Sequence, residues 1–190
     1  MNGDLTVYSA AAPLLAVDEA KSYLRVTHTA DDYDLVRMIA ATTAEAEEIM
    51  GRALARRTYD YTLDAWPAER TLALPMPPLV SVTTITYTDT DGSSTVLGSA
   101  SYIINTAASP GLLTLKTGYD WPSVTLRESA AIVVRYVAGY EYTAIPLRWK
   151  HLVAALLSID FENRDSLAAD AARQREHIVK RLMADRVYAS

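Results

Sequence analysis

The sequence has no cysteine and only seven glycines among its 190 residues. The lack of cysteine excludes a disulfide framework, a thiolate zinc site and a cysteine nucleophile, and it is compatible with a reducing cytoplasm. So few glycines leave little material for a phosphate-binding loop, and the sequence contains neither a Gly-x-Ser-x-Gly elbow nor a dinucleotide fingerprint. The familiar sequence signatures of catalysis and nucleotide binding are therefore missing.

Long apolar runs are missing as well. The longest such stretch in the later part of the chain, residues 152–159, is far shorter than the ~20 residues that span a bilayer. No basic residue precedes Lys21, and Pro13 interrupts the first apolar stretch, so we expect no signal peptide and a soluble protein without membrane contact.

Positive charge is also scarce, and the charge is unevenly spread. The net charge of -5 argues against an extended phosphate-binding surface, which needs clustered lysine and arginine. Residues 1–50 hold nine acidic and three basic side chains, whereas residues 146–190 hold six acidic and eight basic ones. The two ends of the chain therefore carry opposite sign.

The hydrophobic periodicity changes twice along the chain. Helical spacing predicts helices at residues 17–25 and about 31–50, with Gly51 as the stop of the second. Alternation then predicts a β region, and Pro146 restarts the helical period. A core helix follows up to residues 163–165, and a last helix is predicted over 168–186. The strands are predicted at residues 58–64, 71–74, 80–88, 95–97, 102–104, 112–115 and 131–137.

This order predicts an α+β fold in which helices from the two chain ends form a bundle and an antiparallel β subdomain is inserted between them. We expect one domain, with N-terminal helices over 14–53, the β subdomain over 54–140, the core helix over 145–165 and a further C-terminal helix over 168–190.

The candidate catalytic and metal-binding residues all have a simpler explanation. The histidines His28, His151 and His177 lie far apart, and none belongs to a metal-binding spacing. The start of a calcium loop is suggested by Asp89, Asp91 and Gly92. The loop's obligatory sixth-position glycine and twelfth-position glutamate are absent, however, because Ser94 and Ala100 occupy those places. A hairpin turn explains this segment better.

An acid–base pair is suggested by Asp60 and Asp64 on one strand face. Residues four apart on a strand are about 13 Å apart, too far for two carboxylates to attack one glycosidic bond, so we expect ordinary surface carboxylates. The twelve tyrosines and three tryptophans raise the possibility of carbohydrate binding. Most fall in patterns that direct them inward, so core or interface roles are expected instead.

Several segments, read in chain order, carry a family resemblance. They are LLAVDEAKSYLR at 14–25, the helix of residues 31–50 followed by Gly51, Arg52 and Ala53, LDAWP at 63–67, LPMPPLVSV at 74–82, RYVAGY at 135–140, Ile145 with Pro146, and FENRD at 161–165. No single segment is specific, but together in this order they resemble the head-to-tail connector (adaptor) family of tailed bacteriophages, prophages and gene transfer agents. The resemblance covers residues 14–166.

The resemblance implies a structural protein without catalytic residues or cofactors. It implies a ring of identical subunits, typically dodecameric, that binds the portal on one side and a stopper or tail component on the other. DNA would pass through the ring without sequence-specific binding, which suits an acidic chain. The expected location is the neck of the virion, assembled in the bacterial cytoplasm. Opposite charge at the two chain ends also suits head-to-tail contact between neighbours.

Two alternatives remain open. Within the same class the chain is a stopper, a tail-terminator or another neck component, and from a different class it is a carbohydrate-binding or hydrolytic virion protein. The resemblance does not cover the last helix, which has few apolar and many charged residues. We expect residues 168–190 to dock on the portal or a neighbour, although a helix packed on its own subunit is the other reading. The interface residues predicted are Arg173, Arg175, Ile178, Lys180, Arg181, Leu182, Met183 and Tyr188.

Overall fold

The computed structural model describes residues 3–9, 13–163 and 169–187. It has the predicted α+β fold, and the chain divides into two compact units. In the described part, a β unit comprises residues 3–9 and 56–139, and a helical unit comprises residues 13–55 together with 140–163 and 169–187.

The helices are α1 (Val17–Leu24), α2 (Asp32–Met50), α3 (Leu147–Glu162) and α4 (Ala169–Met183). The strands are β1 (Asp4–Val7), β2 (Arg57–Leu63), β3 (Thr71–Leu74), β4 (Leu79–Thr88), β5 (Ser94–Val96), β6 (Tyr102–Asn105), β7 (Gly111–Leu115) and β8 (Ile132–Ala138).

The helical unit is built around α3, whose residues are apolar on most sides. Leu156 and Leu157 are fully buried, and helices α1, α2 and α4 all pack against this helix or each other. In α2 the buried residues Ile39, Ala46 and Met50 follow helical spacing and face the same core. None of the described helices is both long and apolar enough to cross a membrane.

Gly51 ends α2 as the sequence predicts. Its φ of 62° lies in the left-handed region, and its amide donates to the carbonyl of Glu48. A side chain here would also collide with the segment after α4, since an added Cβ would lie 2.6 Å from the carbonyl oxygen of Val187. Glycine is therefore required both by the backbone conformation and by the close approach of another segment.

The last helix packs on its own subunit, so two of the predicted interface residues, Ile178 and Leu182, face the core rather than a partner. The side chains of Ala171, Ile178 and Leu182 are 7%, 9% and 0% exposed, and they belong to the same core as α2 and α3. Their spacing of seven and four residues places all three on one side of α4. This single apolar stripe packs the helix against the core, although the helix has few apolar residues.

The β unit contains two antiparallel sheets. One has the strand order β1-β2-β8-β4-β5, and the other has the order β3-β7-β6. In the larger sheet Tyr59 lies opposite Tyr136, and both side chains are buried, whereas Asp60 lies opposite Arg135 on the other face. Alternation along β2 and β8 thus directs one face inward, as the sequence pattern predicts.

Strand β1 was not predicted, since the first strand predicted from the sequence begins at residue 58. It pairs with residues 59–62 of β2 at the edge of the larger sheet. The turn between β4 and β5 is the predicted hairpin turn: the Asp89 carboxylate accepts the amides of Asp91 and Ser93, and Gly92 has a φ of 83°. In the FENRD segment α3 ends at Glu162 and Asn163 follows it, while Arg164 and Asp165 lie outside the described residues.

Candidate functional site

The residues considered for catalysis do not form a cluster. Within the described ranges, no group of three histidine, aspartate or glutamate side chains is close enough to hold a metal ion. The imidazole of His28 lies 3.8 Å from the carboxylate of Asp31, and the His151 ring meets the edge of Tyr23 at 6.5 Å between centroids. The third histidine, His177, is exposed on α4.

Asp60 forms an ion pair, so the expectation of an ordinary surface carboxylate is wrong for this residue. Its side chain is only 16% exposed, and its two oxygens accept the Nε and Nη2 hydrogens of Arg135, each at 2.8 Å. This two-point geometry is the strongest form of the arginine–carboxylate pair. The hydrogen bond to Asp60 raises the pKa of Arg135, and the Tyr8 ring lies over the guanidinium at 3.5 Å.

Asp64 also has a structural partner. Its carboxylate accepts the amide of Ala130 at 2.7 Å, and Ala130 has a φ of 51°. The carbonyl of Ala130 in turn accepts a hydrogen bond from the Nε of Arg127. Asp60 and Asp64 thus bind separate partners, and the geometry shows two structural acceptors rather than an acid–base pair.

The aromatic residues pack largely on each other. The Trp66 and Trp121 rings stack at 4.7 Å with an angle of 8°, and the edge of Tyr87 meets Trp66. The Tyr136 hydroxyl donates to the carbonyl of Pro75, and burial raises its pKa. Five tyrosines in the described part are nevertheless exposed, at 38% to 75%, and these are candidates for contacts with other molecules: Tyr8, Tyr23, Tyr33, Tyr119 and Tyr142.

The interface residues predicted on α4 divide into two groups. Ile178 and Leu182 are buried in the subunit, and the Arg175 guanidinium donates to Asp160 and Glu45, both at 2.5 Å. These residues hold α4 in place. The remaining predicted residues, Arg173, Lys180, Arg181 and Met183, are exposed, and Tyr188 lies outside the described residues.

A second exposed surface lies on α2 and was not predicted. Tyr33 is 75% exposed and Val36 is 52% exposed, and the exposed alanines 40, 41 and 44 continue this surface along the helix. Apolar side chains therefore occur on two sides of α2. The repeated alanines between Ile39 and Glu45 could have indicated this, because a helix with one buried face normally carries charged residues opposite.

A third surface is the groove between α1 and the start of α3. The side chain of Leu147 is 73% exposed at its rim. The Tyr142 hydroxyl donates to the Glu19 carboxylate, and this hydrogen bond lowers the pKa of Glu19. The Lys150 ammonium lies 3.6 Å from the centre of the Tyr142 ring. The groove thus combines an exposed apolar rim with a fixed polar group.

The family is decided by the sequence as a whole rather than by one of these surfaces. The family model of head completion proteins (HCP) matches residues 13–173. The chain belongs to the head completion protein family. No curated protein matches this head completion protein in sequence.

Solved structures show the same fold over nearly the whole length. A chain from the neck of an empty gene transfer agent (GTA) particle computed with C6 symmetry has a TM-score of 0.79 at 22% identity. A chain from the virion of a native GTA particle has a TM-score of 0.77 at 23% identity. A chain from the neck of a native GTA particle computed with C12 symmetry has a TM-score of 0.76 at 22% identity. Each match covers 98% of both chains.

Proposed function

We propose that this head completion protein is a structural subunit of a ring in the neck of a virion, between the portal and the tail or stopper. The observation that supports this most strongly is the shared fold over 98% of both chains with proteins of GTA necks, one of them computed with C12 symmetry. Membership of the head completion protein family agrees with it. A twelve-membered ring is the arrangement that this symmetry suggests.

The surface of the subunit fits a repeated contact with other proteins. Large apolar side chains are exposed in both units: Leu147 and Tyr33 in the helical unit, Val96 and Ile103 in the β unit, at 56% to 75%. Single exposed apolar residues are common, but Tyr33 and Val36 lie three residues apart and therefore share one side of α2. A cyclic ring covers two different patches of every subunit, because each copy contacts one neighbour with each patch.

The charge of the chain suits a channel that DNA crosses. With a net charge of -5, the subunit offers no excess of lysine and arginine to neutralise phosphates. With few phosphate contacts, the ring would hold passing DNA only weakly. A ring of this composition would surround the DNA without binding a particular sequence.

Electron microscopy of the purified protein, alone and mixed with portal-bearing heads, tests the proposal. We expect closed rings, alone or on the heads, with twelve subunits on the portal. A protein that remains monomeric under both conditions would contradict the proposal. Binding only to heads that already carry another neck protein would place the chain in the stopper position instead.

The same assembly assay tests whether any residue is catalytic. We expect single substitutions of Asp60, Asp64 and His151 to leave assembly intact wherever the variant folds. A substrate turnover that one of these changes abolishes would refute a purely structural role.

A further inference from the structure

The outer face of α2 exposes apolar and small side chains between its charged residues. Besides Tyr33 and Val36 it carries alanines 40, 41 and 44, and a shallow depression lies beside Arg37 and the first two of these alanines. Small side chains allow another helix to approach to about 8 Å between axes. The face spans residues 33–48, which is about 22 Å at 1.5 Å per residue. It has the length and shape to receive a second helix.

The outer face of α4 has the opposite character. It lies on the side away from Ile178 and Leu182 and carries Arg173, Glu176 and Lys180, with half-exposed Met183 at its end. Among the residues that the structure describes, Arg173 pairs with Asp170 at 3.6 Å and Lys180 with Glu176 at 2.7 Å, and all four side chains are at least 63% exposed. Exposed pairs of this kind are weak, so these cations are available to another partner.

The charges on the two faces are complementary. On the outer face of α2, Asp34, Arg37 and Glu48 are exposed and have the signs negative, positive, negative along the helix. On the outer face of α4, Arg173, Glu176 and Lys180 have the signs positive, negative, positive. In both helices the first two charges are three residues apart and therefore lie close together on the surface. The third charge follows after about 16 Å on α2 and about 6 Å on α4, so only the first two charges of each face can match in register. The attraction between the two faces comes from these two pairs.

The two outer faces cannot meet within one subunit. Helices α2 and α4 already pack together through other sides, where Arg175 of α4 binds Glu45 of α2. On α4 the outer face lies away from Arg175. On α2, Asp34 and Ala41 share the stripe of Glu45, yet they and the outer residues of α4 remain exposed within the subunit. Only a second copy of the chain can bring an outer face of α4 against an outer face of α2.

We propose that the outer face of α2 in one subunit binds the outer face of α4 in the next subunit of the ring. This inference rests on the proposed cyclic assembly, which needs a contact between two different patches that repeats around the ring. Acidic and basic helices at opposite ends of the chain supply these two patches.

Charge reversal on each face tests the contact in the full-length protein. One variant carries Asp34→Lys with Glu48→Lys, and a second carries Arg173→Glu with Lys180→Glu. We expect each to lower the ring fraction at fixed concentration by at least about tenfold, because like charges then oppose each other at every interface. A chain with all four substitutions restores opposite charges and should form rings again. Ring fraction is measured by sedimentation and electron microscopy, and folding by circular dichroism.

A matched control changes the same amount of charge elsewhere. Asp91→Lys with Glu128→Lys replaces two exposed acids of the β unit, and this variant should form rings like the unmodified protein.

A further variant, Ala44→Trp, blocks close approach of a helix without changing charge. It should lose rings, as the two charge-reversal variants should, while its helices stay folded. High salt should weaken the ring in the unmodified protein, because it screens exposed charges.

The outcomes separate this contact from the proposed function. If the unmodified protein forms rings and both reversed variants form them equally well, the α2–α4 contact is wrong while the ring function stands. The contact is also wrong if the four-substitution chain fails to recover, or if the α4 variant forms rings but no longer joins portal-bearing heads. If the unmodified protein forms no ring even with the portal, the proposed function fails and this contact with it.

Discussion

Leu182→Ala should destabilise the helical unit by about 3 kcal/mol. The Leu182 side chain is fully buried between α4 and the rest of the core, and truncating a buried leucine removes its apolar contacts and leaves a cavity. The position lies in the last turn of α4, where neighbours can partly collapse, so a value in the lower half of the usual range of roughly 2 to 5 kcal/mol is expected. In a protein of this size that corresponds to a fall in Tm of roughly 6 to 12 °C.

The neighbouring residue provides the control for this experiment. Met183 is 49% exposed, so Met183→Ala should cost less than about 1 kcal/mol. Thermal unfolding followed by circular dichroism at the helix band reports on the helical unit, because α1 to α4 all belong to it. If both variants lower Tm equally and by only a degree or two, α4 is not packed on the free subunit. The argument that it forms part of the core would then be refuted.

Three further predictions concern the same unit. Leu156→Ala should cost roughly 2 to 5 kcal/mol, because its side chain is fully buried, and a loss below about 1 kcal/mol in calorimetry would contradict the core assignment. Arg175→Met should lower the free energy of unfolding in urea by about 1 to 2 kcal/mol, because it leaves two partly buried carboxylates without their cation. The exposed control, Arg173→Met, should change this free energy by less than about 0.5 kcal/mol. Glu19, whose pKa is lowered by the Tyr142 hydroxyl, stabilises the fold above its ordinary pKa of 4.5 and loses this contribution as pH falls through its folded pKa. Glu19→Gln should therefore flatten the dependence of Tm on pH between roughly 5 and 3, and an unchanged slope would show that this hydrogen bond is not formed.

The elements with strong local signals could be predicted from the sequence. Helix α2 has buried residues at regular helical steps and a glycine where its left-handed stop occurs, so both its type and its end follow from neighbouring residues. The hairpin turn at Asp89 and Gly92 depends only on a side chain that accepts nearby amides. Such features need no knowledge of distant parts of the chain.

The features that depend on distant partners could not be predicted. Strand β1 has four residues and is defined by pairing with β2, more than fifty residues away. The sequence predicts a surface carboxylate at Asp60, because nothing near it in sequence shows that Arg135 lies opposite in the neighbouring strand. Register between strands far apart in sequence is set by the whole fold, and the partner of a charged residue is set with it.

The last helix shows that one helix can have both a side packed in the core and a side exposed for an interface. Its few apolar residues predict a segment that becomes ordered only on binding a partner. In the structure, however, Ala171, Ile178 and Leu182 lie on one side of α4 and pack it against the core. Arg175 adds ion pairs to α2 and α3. Since a helix has more than one side, this leaves the opposite side of α4 free to carry exposed charges. The same holds for α2, whose outer face carries apolar residues that its own subunit does not cover. Attachment of α4 to its own subunit therefore does not compete with a contact to a neighbour, because the packed side and the exposed side are different sides of the helix.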